Sequence, residues 1–376
     1  MFFYSCAPSE VRPTRLGKTN HGATPFEVGP AGAYTRHEEH TGGAGASALR
    51  EETVFRLPLI LRAAALLLCA CLASTATAQT YPTRPVKLVV PFAPGGSNDI
   101  FGRVIAAQLS EKLGQTVVVD NRAGAGGSVG TDMVAKSPPD GYTLLLISAA
   151  YSMNAAITKL PYDPVKDFTP IAMLGTGPAV LTVPSSLPVH SVKELIALAK
   201  SKPGQLNVGS AGIGSFQHLV TELFKQMTVT DILVVQYRGG GPALTDLVAG
   251  RVDLSFGSLI QTLPFIKSGH LRALGVGGRT RNSTLPDIPT IAEAGVPGYE
   301  AINWWGMMAP AGTPAAIVAR LNRELTGILK SKELNDKFAT EGAETLQMST
   351  EEFRTFISTE TEKWIRVAKE GNIRVD

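Results

Sequence analysis

Three glycine-rich stretches of one form punctuate the chain: "APGGSND" (93–99), "SAGIGSF" (210–216) and "YRGGGPA" (237–243). Each follows a short apolar run and opens an amphipathic one, so each reads as a turn from a strand into a helix. A helix N-terminus has unpaired N–H groups and the positive end of the helix dipole. Glycine lets that backbone come close to a ligand. The combination suits a phosphate or a carboxylate. The plain alternative is that glycine only permits a tight turn. Three such turns, each with hydroxyls or amides beside the glycines, favour the anion.

Other chemistries find less support. "GAGGSVG" (124–130) imitates a dinucleotide fingerprint, but Val129 stands where the third glycine belongs. Gly17-Lys18-Thr19 ends like a phosphate loop, yet Arg12 occupies its first glycine position. There is no G-x-S-x-G elbow and no H-E-x-x-H pair. His190, His218 and His270 lie far apart in sequence, and a lone His218 at a turn reads as a hydrogen-bonding residue rather than a metal ligand. Carboxylates do not pair: Asp253 reads as a turn residue. Asp99 either stabilises its helix start or meets an ammonium or hydroxyl group of a ligand. Neither catalysis, a metal nor a cofactor is expected. Net charge is +3 over 376 residues with no Lys/Arg cluster, so no nucleic-acid partner is expected.

The elements that position these turns alternate. Strands are predicted at 86–92, 116–121, 142–148, 179–186, 252–258 and 271–278, with helices at 99–114, 131–137 and 191–202. Two more strand–turn–helix units span 206–227 and 232–250. Ser191 and Glu194 form a capping box, and Pro242 suits the first position of its helix. "LPYDPVKDFTPIAML" (160–174) reads as a proline-rich connection and "WWGMMAPAG" (304–312) as an extended return. Trp304 and Trp305 either line a cleft or pack at a junction, with packing preferred. Two helices close the chain, the first opened by Thr313-Pro314. Short continuous apolar strands between helices indicate an α/β fold with a parallel, doubly covered sheet. In such sheets ligands bind beyond the carboxyl ends of the strands, where the glycine turns fall.

The N-terminus differs. Residues 1–53 show no hydrophobic periodicity and read as disordered or as preceding the true start. Residues 54–78 carry Arg56 and Arg62, an apolar stretch and an Ala76-Thr77-Ala78 site: a cleaved signal peptide, hence a periplasmic protein. The expected start codon lies near Val54. All three cysteines, Cys6, Cys69 and Cys71, precede Gln79, so disulfides and thiol chemistry are not expected in the mature chain. A lipid tether at Cys71 is the less favoured alternative.

"YPTRPVKLVVPFAPGGSNDIFGR", "NRAGAGGSVGTDMVAKSPPDGYTLLL", "GSAGIGSFQHLVTELFK", "YRGGGPALTDLVAGRVDLSFGSL" and "RTRNSTLPDIPTIAEAGVPGYE" together resemble the Bug family, the periplasmic solute receptors of tripartite tricarboxylate transporters. The resemblance covers about residues 80–374. It implies a two-domain periplasmic binding protein, a Venus flytrap with a hinge of two crossing strands. The domains would comprise 79–180 plus 304–376, and 181–303. It also implies a small carboxylate held between them mainly by backbone amides and ordered waters. Carried over residue by residue, the first-domain contacts are Phe92, Ala93, Pro94, Gly95, Gly96, Ser97 and Asp99, with Ser148 and Tyr151. From the second domain come Ser210, Gly212, Gly214, Ser215 and His218, then Tyr237, Arg238 and Gly239. "SAAYSMN", with its bulky Tyr151, departs from the family's usual polar turn. The implied partners are membrane permease subunits of such a transporter, or alternatively a sensor kinase. A monomer is expected, and an exported enzyme on acidic metabolites is the remote alternative.

Overall fold

The computed structural model describes residues 81–370. The expected signal peptide, its expected cleavage site and start codon, and the three cysteines lie outside the described residues.

The first run of elements is β1 (Val86–Val90), α1 (Ser97–Leu113), β2 (Val117–Asn121), α2 (Ser128–Ala135), β3 (Thr143–Ser148), α3 (Ala149–Ile157) and the long β4 (Phe168–Pro184). The second is α4 (Val192–Ser201), β5 (Asn207–Ser210), α5 (Phe216–Thr228), β6 (Leu233–Gln236), α6 (Gly240–Val248), β7 (Leu254–Ser258), α7 (Leu259–Lys267) and β8 (Leu271–Val276). The last is β9 (Ile302–Pro310), α8 (Ala315–Leu329), α9 (Lys332–Glu341), β10 (Glu344–Thr345) and α10 (Thr350–Glu370).

The strands order as β2-β1-β3-β9-β4-β7-β5-β6, with β8 and β10 also on β4. Strands β2, β1 and β3 are parallel, and so are β6, β5 and β7. Each half thus repeats one plan: its first strand lies between the other two, and the order reverses beside it. Such a reversal opens a crevice at the strand ends. Two antiparallel strands join the halves. β4 pairs with β9 as far as Pro178 and then with β7 and β8 from Ala179 onward. Ala301, bonded to Ala179 and Gly277, leads the chain back into β9.

The proline-rich connection expected at 160–174 is half wrong, because β4 begins at Phe168. Pro170 and Pro178 remove ladder donors. The ladder with β9 shifts register between Pro170 and Ala172 and again between Met173 and Gly175, as bulges that absorb an extra residue do. Helices α3, α7 and α9 were not foreseen. α3 is buried from Ala149 to Asn154 and so lacks a polar stripe, and α7 carries Pro264 inside it. Pro242 is the third rather than the first residue of α6, and Pro314 itself occupies the N-cap of α8. The Ser191 cap forms, its Oγ accepting from the Glu194 N–H at 3.2 Å. The Glu194 carboxylate reaches back to His190 N rather than to Ser191 N.

The tryptophan pair packs. Trp305 is fully buried, stacked on Phe101 at 4.4 Å between ring centroids, and Phe101 stacks on Phe338 at 4.6 Å. Trp304 meets Phe353 and Phe356 edge-on. The Trp305 indole N–H donates to Asn98 Oδ1 at 2.7 Å, tying this core to the first turn of α1. Trp305→Ala should destabilise the protein by about 3–5 kcal/mol in denaturant unfolding, as loss of a large buried aromatic does. Trp305→Phe should keep most of that stability while freeing Asn98.

Candidate functional site

Five helices begin on one small cavity of about 30 Å³ between the two halves. Helix α1 brings Gly96, Ser97 and Asn98; α3 brings Ser148 and Ala150; α5 brings Ser215, Phe216 and Gln217. Helix α6 brings Gly240, and α7 brings Ser258 and Gln261. Phe92, Ala211 and Asn303 complete the wall. All fourteen are neutral residues. Four of the five helices, all but α5, start without a side-chain cap. Distant amides take the first N–H of α1 and of α3, and no charged side chain on the wall meets the dipole ends. Each N-terminus favours an anion by about 0.3–2 kcal/mol, most strongly where water is excluded.

The amides on the wall are mostly engaged with the protein. Gln261 accepts from Ser97 N–H at 3.2 Å and donates to Gly240 O at 2.7 Å, joining the halves. Asn303, on the crossing strand β9, accepts from Ala149 N–H and donates to Ser258 Oγ. Asn98 donates to Ser148 Oγ at 3.4 Å. Gln217 differs: it is 5% exposed, and its Oε1 has no partner among the described residues. A buried amide oxygen left unpaired costs about 1–3 kcal/mol, which a ligand or water relieves.

Of the residues expected from sequence, Phe92, Gly96, Ser97, Ser148 and Ser215 line this cavity. The structure does not bring Asp99 to its wall. The carboxylate is buried behind the turn and accepts from Gly95 N–H at 3.0 Å, Asn121 Nδ2 at 3.0 Å and both Nε and Nη2 of Arg103. Burial alone would raise its pKa, but the hydrogen bonds from Arg103, Gly95 and Asn121 and the Arg103 charge outweigh burial and hold it below the usual range. Asp99 thus shapes the turn. Ser210 is buried behind Ser215, with the two hydroxyls 3.4 Å apart.

His218 also lies behind the wall, its Nδ1 accepting from Gly214 N–H and its own N–H donating to Ser215 Oγ. Burial lowers its pKa; Glu222 works against that and Lys225 with it. Tyr151 packs against Tyr162 and Phe168, its hydroxyl donating to Pro164 O at 2.6 Å. Tyr237 donates to Asp246, and burial with that bond pushes its phenol up to about 12. Gly212, Tyr237 and Arg238 line an adjoining pocket that shares Phe92 and Ala211 with the cavity. Ala93, Pro94, Gly95, Gly214 and Gly239 sit at contacts between the halves, outside the wall.

Asn98, Ala150, Ala211, Phe216, Gln217, Gly240, Ser258, Gln261 and Asn303 were missed. One signal was present. Ser148 and Ser258 each end an apolar strand and open a helix at matching places in the two halves.

A family model described as "Tripartite tricarboxylate transporter family receptor" matches residues 101–373. The chain belongs to this family. BugT of Bordetella pertussis is 41% identical over 307 residues, covering 81% of this chain and 94% of that protein. An R. palustris protein solved with adipate is 42% identical with a TM-score of 0.76, over 78% of this chain and 99% of that one. MatC from Rhodopseudomonas palustris, solved with bound malate, is 33% identical with a TM-score of 0.74, over 76% of this chain and 99% of that one. The family is one of solute receptors, and the two-lobed periplasmic binding protein fold accords with these structures.

The turn network makes two checks available. Asp99→Asn places an amide where four donors converge and should cost about 1–3 kcal/mol of stability, read by denaturant unfolding, although Asp99 does not line the cavity. For His218 the folded pKa lies below the unfolded one, so below the ordinary value of 6.5 the unfolded chain binds more protons and stability falls. The ligand-free melting temperature should therefore drop from about pH 7 to about pH 5. His218→Gln should flatten part of that slope.

Proposed function

We propose that this receptor captures a small carboxylate between its two halves and hands it to the membrane permease subunits of a tripartite tricarboxylate-type transporter. One observation carries the reading: five helix N-termini converge on one cavity whose wall contains no charged side chain. Several kcal/mol of dipole stabilisation from these starts is a substantial part of the about 8 kcal/mol that a micromolar complex needs. Adipate and malate in relatives of the same fold support the ligand class.

Arg238 in the adjoining pocket offers a cation for a second carboxylate or another polar end of the ligand. The halves would act as domains, 79–180 plus 304–376 and 181–303, with β4 and β9 as the hinge. The protein would work in the periplasm after removal of its signal peptide, as a monomer. Capture rather than catalysis fits the wall, since its hydroxyls and amides include no base paired with a nucleophile.

A thermal-shift screen with mono-, di- and tricarboxylates tests the reading, because a ligand of the folded state raises the melting temperature by mass action. At least one acid should do so. Gln217→Leu keeps the volume and removes the unpartnered amide. It should weaken that acid by about tenfold, a loss of about 1.4 kcal/mol, while leaving ligand-free stability unchanged or higher. No shift with any acid, with no co-purified acid released on denaturation, would overturn the proposal.

A further inference from the structure

The glycine turns of the two halves touch each other as well as the cavity. Ala93 N–H donates to Arg238 O across the gap at 3.4 Å, and Ser97 N–H donates to Gln261 Oε1 at 3.2 Å. A side chain on Gly241 would overlap the carbonyl oxygen of Pro94 in the opposite half. One on Gly239 would sit 2.8 Å from Ala93 N. At a second place along the gap, Gly126 meets the Ile213 carbonyl, and Gly214 meets the Asn154 side chain. The obstacles are mainly backbone atoms, which no rotamer change can move aside.

We infer that Gly241, with Gly239 beside it, is a closure residue: it sets how near the halves approach and so how well the receptor holds its ligand, without touching that ligand. The inference rests on the capture reading above and names what limits closure in it. Gly241 is the second residue of α6, does not line the cavity and has no left-handed backbone requirement. Alanine is the better helix former there. Local and global effects therefore have opposite signs. Gly241→Ala should strengthen α6 and weaken the closed form, in which the new methyl group would meet Pro94. Gly239 has an extended backbone, φ 161° and ψ 169°, that any residue adopts, so Gly239→Ala is an independent second variant. Gly327 is a helical glycine in α8 with open space at its Cβ position, and Gly327→Ala is the matched control.

Apparent affinity falls in proportion to the closed fraction a ligand can draw on. The experiment is hydrogen–deuterium exchange of the Ala93 and Ser97 amides in the full chain, with and without adipate, beside an adipate titration. In the wild type and Gly327→Ala both amides should be protected. In Gly241→Ala and Gly239→Ala they should exchange at least about tenfold faster, and adipate should bind about tenfold more weakly, with the melting transition retained. Wild-type protection of these amides in both seam variants would overturn the inference. So would the absence of protection in the wild type under every condition, since the contacts would then not form. Should Gly241→Ala fail to fold, Gly239→Ala decides alone; should both fail while Gly327→Ala folds, the glycines serve the fold rather than closure and the inference is overturned. Protection that no carboxylate alters would leave the seam standing and remove the carboxylate reading instead.

Discussion

Helix starts that lack a side-chain cap of their own are the constraint around which the rest of the structure is arranged. An α-helix leaves its first N–H groups without intrahelical partners, and they need a cap, water or a ligand. Here α1, α3, α6 and α7 begin on the cavity without a side-chain cap. The sheet order explains how they meet. In each half the first strand lies between the second and third, so the turns after the first and third strands flank one crevice. Two such halves face each other across β4 and β9, and the two crevices meet in one cavity.

That meeting depends on close backbone approach. The turn after β1 rests on the turn before α6 with little but glycine between them. A seam of larger side chains would hold the helix starts apart and leave water among them, which screens the dipoles. The cavity wall and the contacts between the halves are thus adjacent parts of the same turns. Asp99 and His218 support them from behind by fixing Gly95 and Gly214. This accounts for polar, buried and perturbed groups that never reach the cavity.

The legible parts of this architecture were those written in local pattern. Apolar runs ending in glycine marked β1, β5 and β6 with their helices, and Phe92, Gly96, Ser97 and Ser215 followed from them. Ser191 announced its helix because a cap is a contact over three residues. What stayed hidden was set by distant pairing. Phe168 to Pro178 reads as a loop because Pro170 and Pro178 are poor strand residues; only the partner β9 and two bulges make a strand of it. Gln217 and Gln261 lie in the first turns of helices, where an amide resembles any solvent-facing residue. Both are buried, at 5% and 3% exposure: Gln261 bonds Ser97 of the opposite half, and Gln217 lies beside Gly240 and Gly257, distant in sequence. Tyr151 shows the other limit of local pattern. It follows a strand as a ligand residue would, yet an aromatic cluster and the Pro164 carbonyl hold it.

A neutral wall also suits what a receptor must do twice, hold and release. A cationic side chain in the cavity would be stranded whenever the halves closed without ligand. An unpaired buried charge costs several kcal/mol, and its pair with a carboxylate would be slow to part. Helix starts avoid this, because their partial charges belong to the backbone and hydrate readily once the halves separate. Arg238 is exposed in the adjoining pocket rather than set in the cavity wall, and so keeps its solvation. The division leaves binding strength to geometry that closure creates and opening removes. Affinity in such a design follows the separation of the halves more than the charge of any one residue.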